Sequence, residues 1–207
     1  KDMQRVMGMH SAALDDINTE KVFDPSLAHA AKAAWKEALT FGRKNGYRNS
    51  QATVLAPTGT IALMMDCATT GIEPEFALVK MKQLVGGGFM QFANTTVESA
   101  LRGLGYSSSE IEAIAAHLKE KGTIEGAPEL KEEHLSVFDC AVKPANGNRV
   151  ISWEGHVKMV AAVQPFLSGA VSKTFNMSSD ATVDDIIQAY TMGWKYGLKA
   201  FAIYRDG

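Results

Sequence analysis

The stretch from Gln51 to Pro74 constrains the chain more than any other. A short apolar, β-branched run, Ala52 to Ala56, stops at Pro57, which has no N–H to offer a strand ladder. Thr58-Gly59-Thr60 follows, and a second apolar run extends from Ile61 to Met65. This pattern predicts a strand, a tight loop, and an element that begins directly after the loop. Gly59 permits φ > 0 and lets a ligand come close to the main chain. N–H groups left free at such a turn, with two threonine hydroxyls beside them, suit a phosphate or another anion. The same pattern also serves as an ordinary strand-to-helix turn. No lysine stands in the loop, so it is not a Walker A loop.

The segments around this loop read as helices and strands in alternation. Met3, Val6, Met7, His10, Ala13, Leu14 and Ile17 fall at helical spacing, which predicts a helix over residues 3 to 17 with His10 as a packing or surface residue. Asp24-Pro25 is an N-cap followed by proline at the first helical position, and Leu27, Ala30, Ala31, Ala34, Trp35, Ala38 and Leu39 form the apolar stripe of the helix it opens. Gly46 is placed to end that helix. Phe76 to Val85 is apolar enough for a strand and runs into Gly86-Gly87-Gly88, where three glycines mark either a required turn or a close approach to a ligand or another backbone.

Residues 94 to 121 read as a helical pair, with Gly105 between the helices and Gly122 as the stop. Asn94 or Thr95 caps the first helix, and Ser109 to Glu112 reads as a capping box for the second. Leu135 to Ala141 is expected to be extended. Ser152 caps a helix that Pro165 breaks, Gly169 to Met177 is extended, and Thr182-Val183-Asp184-Asp185 opens a last helix that stops at Gly197. Ala200 to Tyr204 is a compact apolar strand, buried on both faces if its sheet is parallel. With no hairpin signal, this order predicts an α/β fold with parallel pairing. There is no internal repeat and no linker that would split residues 1–207, so one domain is expected.

Composition narrows the function classes. At 207 residues the chain can bury a real core, and 46 % hydrophobic with 21 % charged residues is ordinary for a soluble globular protein. A net charge of −2 gives no electrostatic case for nucleic acid or an anionic membrane surface. No apolar run approaches the ~18 residues of a membrane span. The first residues, Lys1 to Arg5, read as the start of a helix rather than a signal peptide. Two cysteines, Cys67 and Cys140, far apart and in no paired motif, argue against a disulfide scaffold or a zinc site, so no metal ligand set is expected and a reducing cytoplasm is the default location. Both read as structural, buried thiols.

Tyr47 to Ile61 resembles the substrate phosphate-binding segment of ribonucleotide reductases, most closely the adenosylcobalamin-dependent class. Asp66 to Pro74, Leu84 to Gly88, Phe166 to Thr174 and Trp194 to Gly207 are similar to the same family, in order, over nearly the whole chain. The resemblance implies a ten-stranded α/β barrel made of two sets of five parallel strands, of which this chain supplies the C-terminal half, with the helical pair near 94–121 within it. A partial barrel exposes strand edges and apolar surface until something covers them.

By the same resemblance, the activity implied is that of an oxidoreductase that makes deoxyribonucleotides for DNA synthesis from ribonucleoside di- or triphosphates by radical chemistry. A cysteine thiyl radical removes the 3′-hydrogen, the 2′-hydroxyl leaves as water, and a cysteine pair, restored by a dithiol system, supplies two electrons. The thiyl cysteine of the family lies in an Asn-x-Cys-x-Glu type motif, which does not occur in these 207 residues. No catalytic residue is therefore assigned here, and the chemistry requires the chain or segment that carries the N-terminal half of the barrel and the catalytic cysteines.

Relatives that receive their radical from a diiron subunit follow Gly-Leu-Lys with two adjacent tyrosines, where Gly197-Leu198-Lys199 is here followed by Ala202 and Ile203 at the matching positions. That departure fits adenosylcobalamin as the radical source, shared with the rest of the barrel. The resemblance places the substrate phosphates at Pro57, Thr58, Gly59, Thr60 and Ile61, and offers Gly86, Gly87, Gly88, Ser168 and Gly169 as positions of ligand approach. The alternative is a non-catalytic nucleotide-phosphate-binding module in an assembly or regulatory role.

Overall fold

Three extended segments run parallel through the structure, a computed structural model that describes residues 2–22, 24–83, 86–87 and 89–205. Leu55 forms a parallel bridge to Val171. The Leu55 N–H donates to the Ala170 carbonyl at 3.4 Å and the Ser172 N–H donates to the Leu55 carbonyl at 3.0 Å. The chain through Val171 continues as a strand, Thr174–Met177, which pairs in parallel with the strand Ala202–Arg205, in register from Thr174 against Ala202 to Met177 against Arg205. Chain order also contains an antiparallel hairpin, so the strands are β1 (Val79–Gln83), β2 (Phe89–Ala93), β3 (Thr174–Met177) and β4 (Ala202–Arg205). The mixed helix and strand content and the parallel pairing agree with the α/β reading.

The helices are α1 (Asp2–Ala12), α2 (Pro25–Asn45), α3 (Gly59–Met64), α4 (Thr96–Gly103), α5 (Ser108–Lys121), α6 (Trp153–Val163) and α7 (Val183–Lys195). Their ends follow local chemistry. The Asp24 carboxylate accepts the Ser26 N–H at 2.8 Å with Pro25 opening α2, and Gly46, at φ +76°, closes it. Ser152 caps α6, which gives way to a 3-10 turn at Gln164–Phe166, where Pro165 cannot continue the helix. Thr182 and Asp185 form a reciprocal capping box on α7, and Gly197 follows it at φ +66°.

Several expectations need correction. The first helix stops at Ala12 and tightens into a 3-10 turn at Ala13–Asp16. The capping box of α5 joins Ser107 to Glu110, two residues earlier than the sequence pattern placed it, and Asn94 rather than Thr95 receives the first N–H of α4 through its side chain. Phe76 to Gln83 contains a strand, but it turns back on β2 instead of joining a parallel sheet, from Val79 against Ala93 to Gln83 against Phe89. Its connection is longer than the two-residue turns that announce a hairpin in sequence. Most of Leu135 to Ala141 is a 3-10 helix, Glu132–Phe138, because Phe138 turns into the helical-pair core. β4 is not buried on both faces: Tyr204 keeps 57 % of its surface in solvent, since among the described residues β4 pairs with β3 alone.

Among the described residues, two apolar cores hold these elements. Val97 and Leu101 of α4 meet Ile111, Ile114 and Leu118 of α5 with Tyr106, Ile124 and Phe138, and the hairpin packs on this group through Leu78, Val79 and Ala93. The second core joins Val157 and Val160 of α6 to Leu167, Val171 and Phe175, with Leu55, Ile72, Met192 and Phe201 at its margin. Phe175 stacks on Phe201 with ring centroids 4.0 Å apart. Gly193 lets α7 come this close, because a Cβ there would lie 2.6 Å from the Phe201 ring. The α2 stripe is poorly covered, and Leu27 and Phe41 are exposed. No helix is long and apolar enough to cross a membrane among the described residues.

Candidate functional site

The loop after Leu55 leaves the parallel layer at Pro57 and enters α3 at Gly59. Thr58 has φ +50°, a left-handed conformation uncommon for a threonine. Two contacts hold it there. The Ala62 N–H donates to the Thr58 carbonyl at 2.8 Å, and the Thr58 Oγ1 accepts the Gly71 N–H at 2.8 Å. Gly71, at φ +55°, lies so close to the outgoing limb that a Cβ would come within 2.6 Å of the Ala56 carbonyl oxygen. The return limb is thus pressed against the loop that precedes α3.

This arrangement leaves the N–H groups of Gly59, Thr60 and Ile61 in the first turn of α3, ahead of any helical acceptor, with Thr58 to Ile61 exposed. The Thr60 hydroxyl stands beside them. The Thr58 hydroxyl, having accepted from Gly71, retains its own proton to donate. A Cβ on Gly59 would meet nothing within 4 Å, so the space over the loop is open. Chemically this is a cluster of donors facing solvent, suited to oxygen atoms of an anion. The predicted loop residues Pro57, Thr58, Gly59, Thr60 and Ile61 therefore lie together.

The other predicted positions part company. Gly86 and Gly87 sit in the connection of the hairpin at φ +103° and +95°, which is what requires glycine there, and both are exposed. Gly88 lies outside the described residues. Ser168 and Gly169 pack within the chain: the Ser168 N–H donates to Thr53 Oγ1 at 3.0 Å, and a Cβ on Gly169 would lie 3.2 Å from both the Thr53 carbonyl oxygen and Val54. Gly169 serves the approach of two strands. His10 is a packing residue as expected, buried against Trp35 with Nε2 3.0 Å from Ser168 Oγ and Nδ1 against the Pro165 carbonyl.

Cys140 is buried, and desolvation followed by the neighbouring Glu75 charge pushes its thiol up to about 11. Cys67, expected to be buried, is exposed just after the turn that follows α3. Among the described residues no group of three His, Cys, Asp or Glu is arranged to hold a metal ion.

Glu73 has the structural hydrogen-bonding role that its lone carboxylate suggests, but its polar partners went unread in the sequence. Lys173 is 7 % exposed and its ammonium lies 2.5 Å from Glu73 Oε2, while Glu73 Oε1 accepts the Thr174 N–H at 2.7 Å. Burial lowers the pKa of Lys173, and the Glu73 carboxylate opposes that shift. His156 of α6 is also buried, and among the described residues its Nε2 lacks a partner; desolvation first, then the Lys173 charge, bring it down to about 4. Glu73 and Lys173 stand in segments legible as motifs, but no sequence spacing says that residues a hundred positions apart form a pair.

A cleft of about 390 Å³ lies elsewhere, between the end of α5 and residues 138–149, and no loop residue lines it. It is lined by Phe138, Cys140 and Val142, with Arg149 held bidentately by Asp139 at 2.7 and 2.8 Å. Neither this cleft nor the open donor loop forms a cradle of corrin size. Four of the five histidines, His10, His117, His134 and His156, are bonded or buried.

Comparison with known proteins places this geometry in a family context. Residues 4–204 match the model of the ribonucleotide reductase barrel domain. The chain is 57 % identical over 205 residues to a vitamin B12-dependent ribonucleotide reductase of Rhodopirellula baltica, covering 99 % of this chain and 20 % of that protein. It is 55 % identical over 203 residues to the protein of that name from Streptantibioticus cattleyicolor, covering 98 % of this chain and 33 % of the relative. A relative of the same name from Agrobacterium fabrum is 40 % identical, with 89 % of this chain and 22 % of the relative covered. The chain thus spans between a fifth and a third of the length of these relatives. In fold it is similar to the class Id ribonucleotide reductase alpha subunit of Actinobacillus ureae, with a TM-score of 0.56 at 18 % identity, covering 87 % of this chain and 32 % of that one.

Proposed function

Because the chain belongs to the ribonucleotide reductase barrel-domain family, we propose that it is the part of an adenosylcobalamin-dependent ribonucleotide reductase that binds the substrate phosphates. The observation that carries this reading is the braced, open loop at Pro57 to Ile61, with its donors aimed at solvent. In this reading the N–H groups of Gly59, Thr60 and Ile61 and the hydroxyls of Thr58 and Thr60 hold a ribonucleoside di- or triphosphate, and the short α3 presents the positive end of its peptide dipoles. Of the positions of ligand approach, Gly86 and Gly87 are the open ones, whereas Ser168 and Gly169 are occupied by His10 and Thr53–Val54.

The chain would form the C-terminal half of a ten-stranded α/β barrel, as one partial domain over residues 1–207. Exposed Val54, Ile61, Met64 and Met65 beside the loop support this, since apolar side chains around a ligand site call for cover. The catalytic cysteines belong to the rest of the barrel, which shares the adenosylcobalamin site with this chain, and a dithiol system restores the reducing pair. When bound, adenosylcobalamin supplies the radical that this reaction needs. The role of the present residues is to bind and orient the nucleotide, which fixes the ribose relative to groups held elsewhere.

The missing Asn-x-Cys-x-Glu motif supports the second reading, a nucleotide-phosphate-binding module without catalysis of its own. One assay separates the two. Ribonucleotide reduction is measured with adenosylcobalamin and a dithiol, using this chain alone and joined to the segment that carries the thiyl cysteine. Activity that requires both, and that falls with Gly59→Val while association persists, is the expected result. Nucleotide binding without turnover in every combination would leave the binding module.

A further inference from the structure

Both limbs of the loop are seated on one short stretch of chain. The outgoing limb is held where Leu55 pairs with Val171 and accepts from the Ser172 N–H. The return limb is held one step further along, where Glu73 accepts from the Thr174 N–H at 2.7 Å and pairs with the Lys173 ammonium. Lys173 also donates to the Thr174 carbonyl at 2.7 Å, so the ammonium spans the strand backbone and the carboxylate. Between these anchors the limbs touch through Thr58 and Gly71. Ile72 packs into the second core between Gly71 and Glu73. The Thr58 conformation thus depends on a hydrogen bond from Gly71, and Gly71 is placed by the carboxylate two residues on.

We propose that Glu73 and Lys173 are positioning residues for the nucleotide site, an ion pair that clamps the return limb to the strand and thereby sets Thr58 and the donor N–H groups of α3. The inference rests on the loop at Pro57 to Ile61 being the phosphate site. Neither residue touches the phosphates; the pair acts through Gly71 and Thr58. A buried ion pair of this kind is costly to break at one end, because the remaining partner is left uncompensated. Lys173 is the more buried of the two, with a side chain 2 % exposed against 28 % for Glu73.

The test uses the complete reductase and compares Glu73→Gln, Lys173→Met, the double variant and Gly59→Val. Glu73→Gln keeps an acceptor for the Thr174 N–H while removing the charge, so it carries the test if Lys173→Met does not fold. A loosened phosphate loop loses binding shared by ground state and transition state. The nucleotide KM is therefore expected to rise about tenfold in Glu73→Gln with kcat held within about twofold, and with half-saturation by adenosylcobalamin unchanged. The double variant is expected to be no worse than the worse single variant, since the two residues work as one unit. If Gly59→Val raises KM while Glu73→Gln and Lys173→Met leave it unchanged or lower kcat alone, the pair is a structural tie and the inference fails, with the loop reading intact. If Gly59→Val leaves KM unchanged, the loop reading fails and the inference with it.

Discussion

Leu101 and Ile114, where α4 meets α5, have no exposed surface, while Trp194 on α7 keeps 79 % of its area in solvent. The helical pair and the parallel strand layer are therefore packed to different ends. In the pair, the apolar stripes of two helices face each other, the hairpin packs on them through Leu78, Val79 and Ala93, and Phe138 is drawn inward from the next segment. In the strand layer α6 and Phe175 fill one side, but Val54, Ile187, Trp194 and Tyr204 are more than half exposed. Large apolar side chains left exposed in such number call for cover.

The sharpest way to break this contrast is to empty each core. Phe175→Ala removes the ring that stacks on Phe201 and is expected to cost about 3–5 kcal/mol, and Leu101→Ala about 2–5 kcal/mol, measured by chemical denaturation. If the regions are as distinct as their cores, amide exchange speeds up in α6 and β3 for the first variant and in α4 and α5 for the second. Uniform loss of protection in both variants would show one cooperative core instead.

A smaller effect comes from pH. His156 is held at about 4 in the fold, below its ordinary 6.5, so the unfolded chain takes up the proton first. The stability that depends on a neutral His156 is complete above pH 6.5, declines as pH falls, and is lost by about pH 4. The span is on the order of 3 kcal/mol. Lys173 and Glu73 are the charged groups that act on it, the first deepening the shift and the second opposing it. Denaturation between pH 7.5 and 4 should give a flatter dependence for His156→Gln than for the native protein. An identical slope would remove His156 from the explanation.

The smallest expected change separates folding from assembly. Trp194→Ser should alter unfolding by no more than about 0.5 kcal/mol, as for surface positions in general. Association with the remainder of the barrel should weaken measurably in the same variant. A large loss of stability instead would mean that Trp194 supports this chain's own core.

Much of this architecture was legible in local chemistry. Asp24-Pro25, Ser152, Thr182 and Gly122 mark helix ends because a side chain or a left-handed glycine satisfies backbone groups within a few residues, and those ends stand where the pattern put them. The Pro–Thr–Gly–Thr order similarly gave the loop and an element directly after it, whereas the strand expected over Ala52 to Ala56 is reduced to a single bridge at Leu55. Less legible were features that depend on distant partners. The β1–β2 hairpin turns through a connection with no short-turn signature, and Leu135 to Phe138 is drawn into helical turns by the core it joins.

The sequence by itself determined most of the turns and most of the helix starts and stops, because caps, prolines and glycines act over a few residues. Only the tertiary structure decided that Glu73 meets Lys173, that Gly71 braces Thr58, and that among the described residues β4 pairs on one side alone. Those outcomes depend on which segments share the second core, and apolar burial is non-directional, so no local pattern encodes its partners.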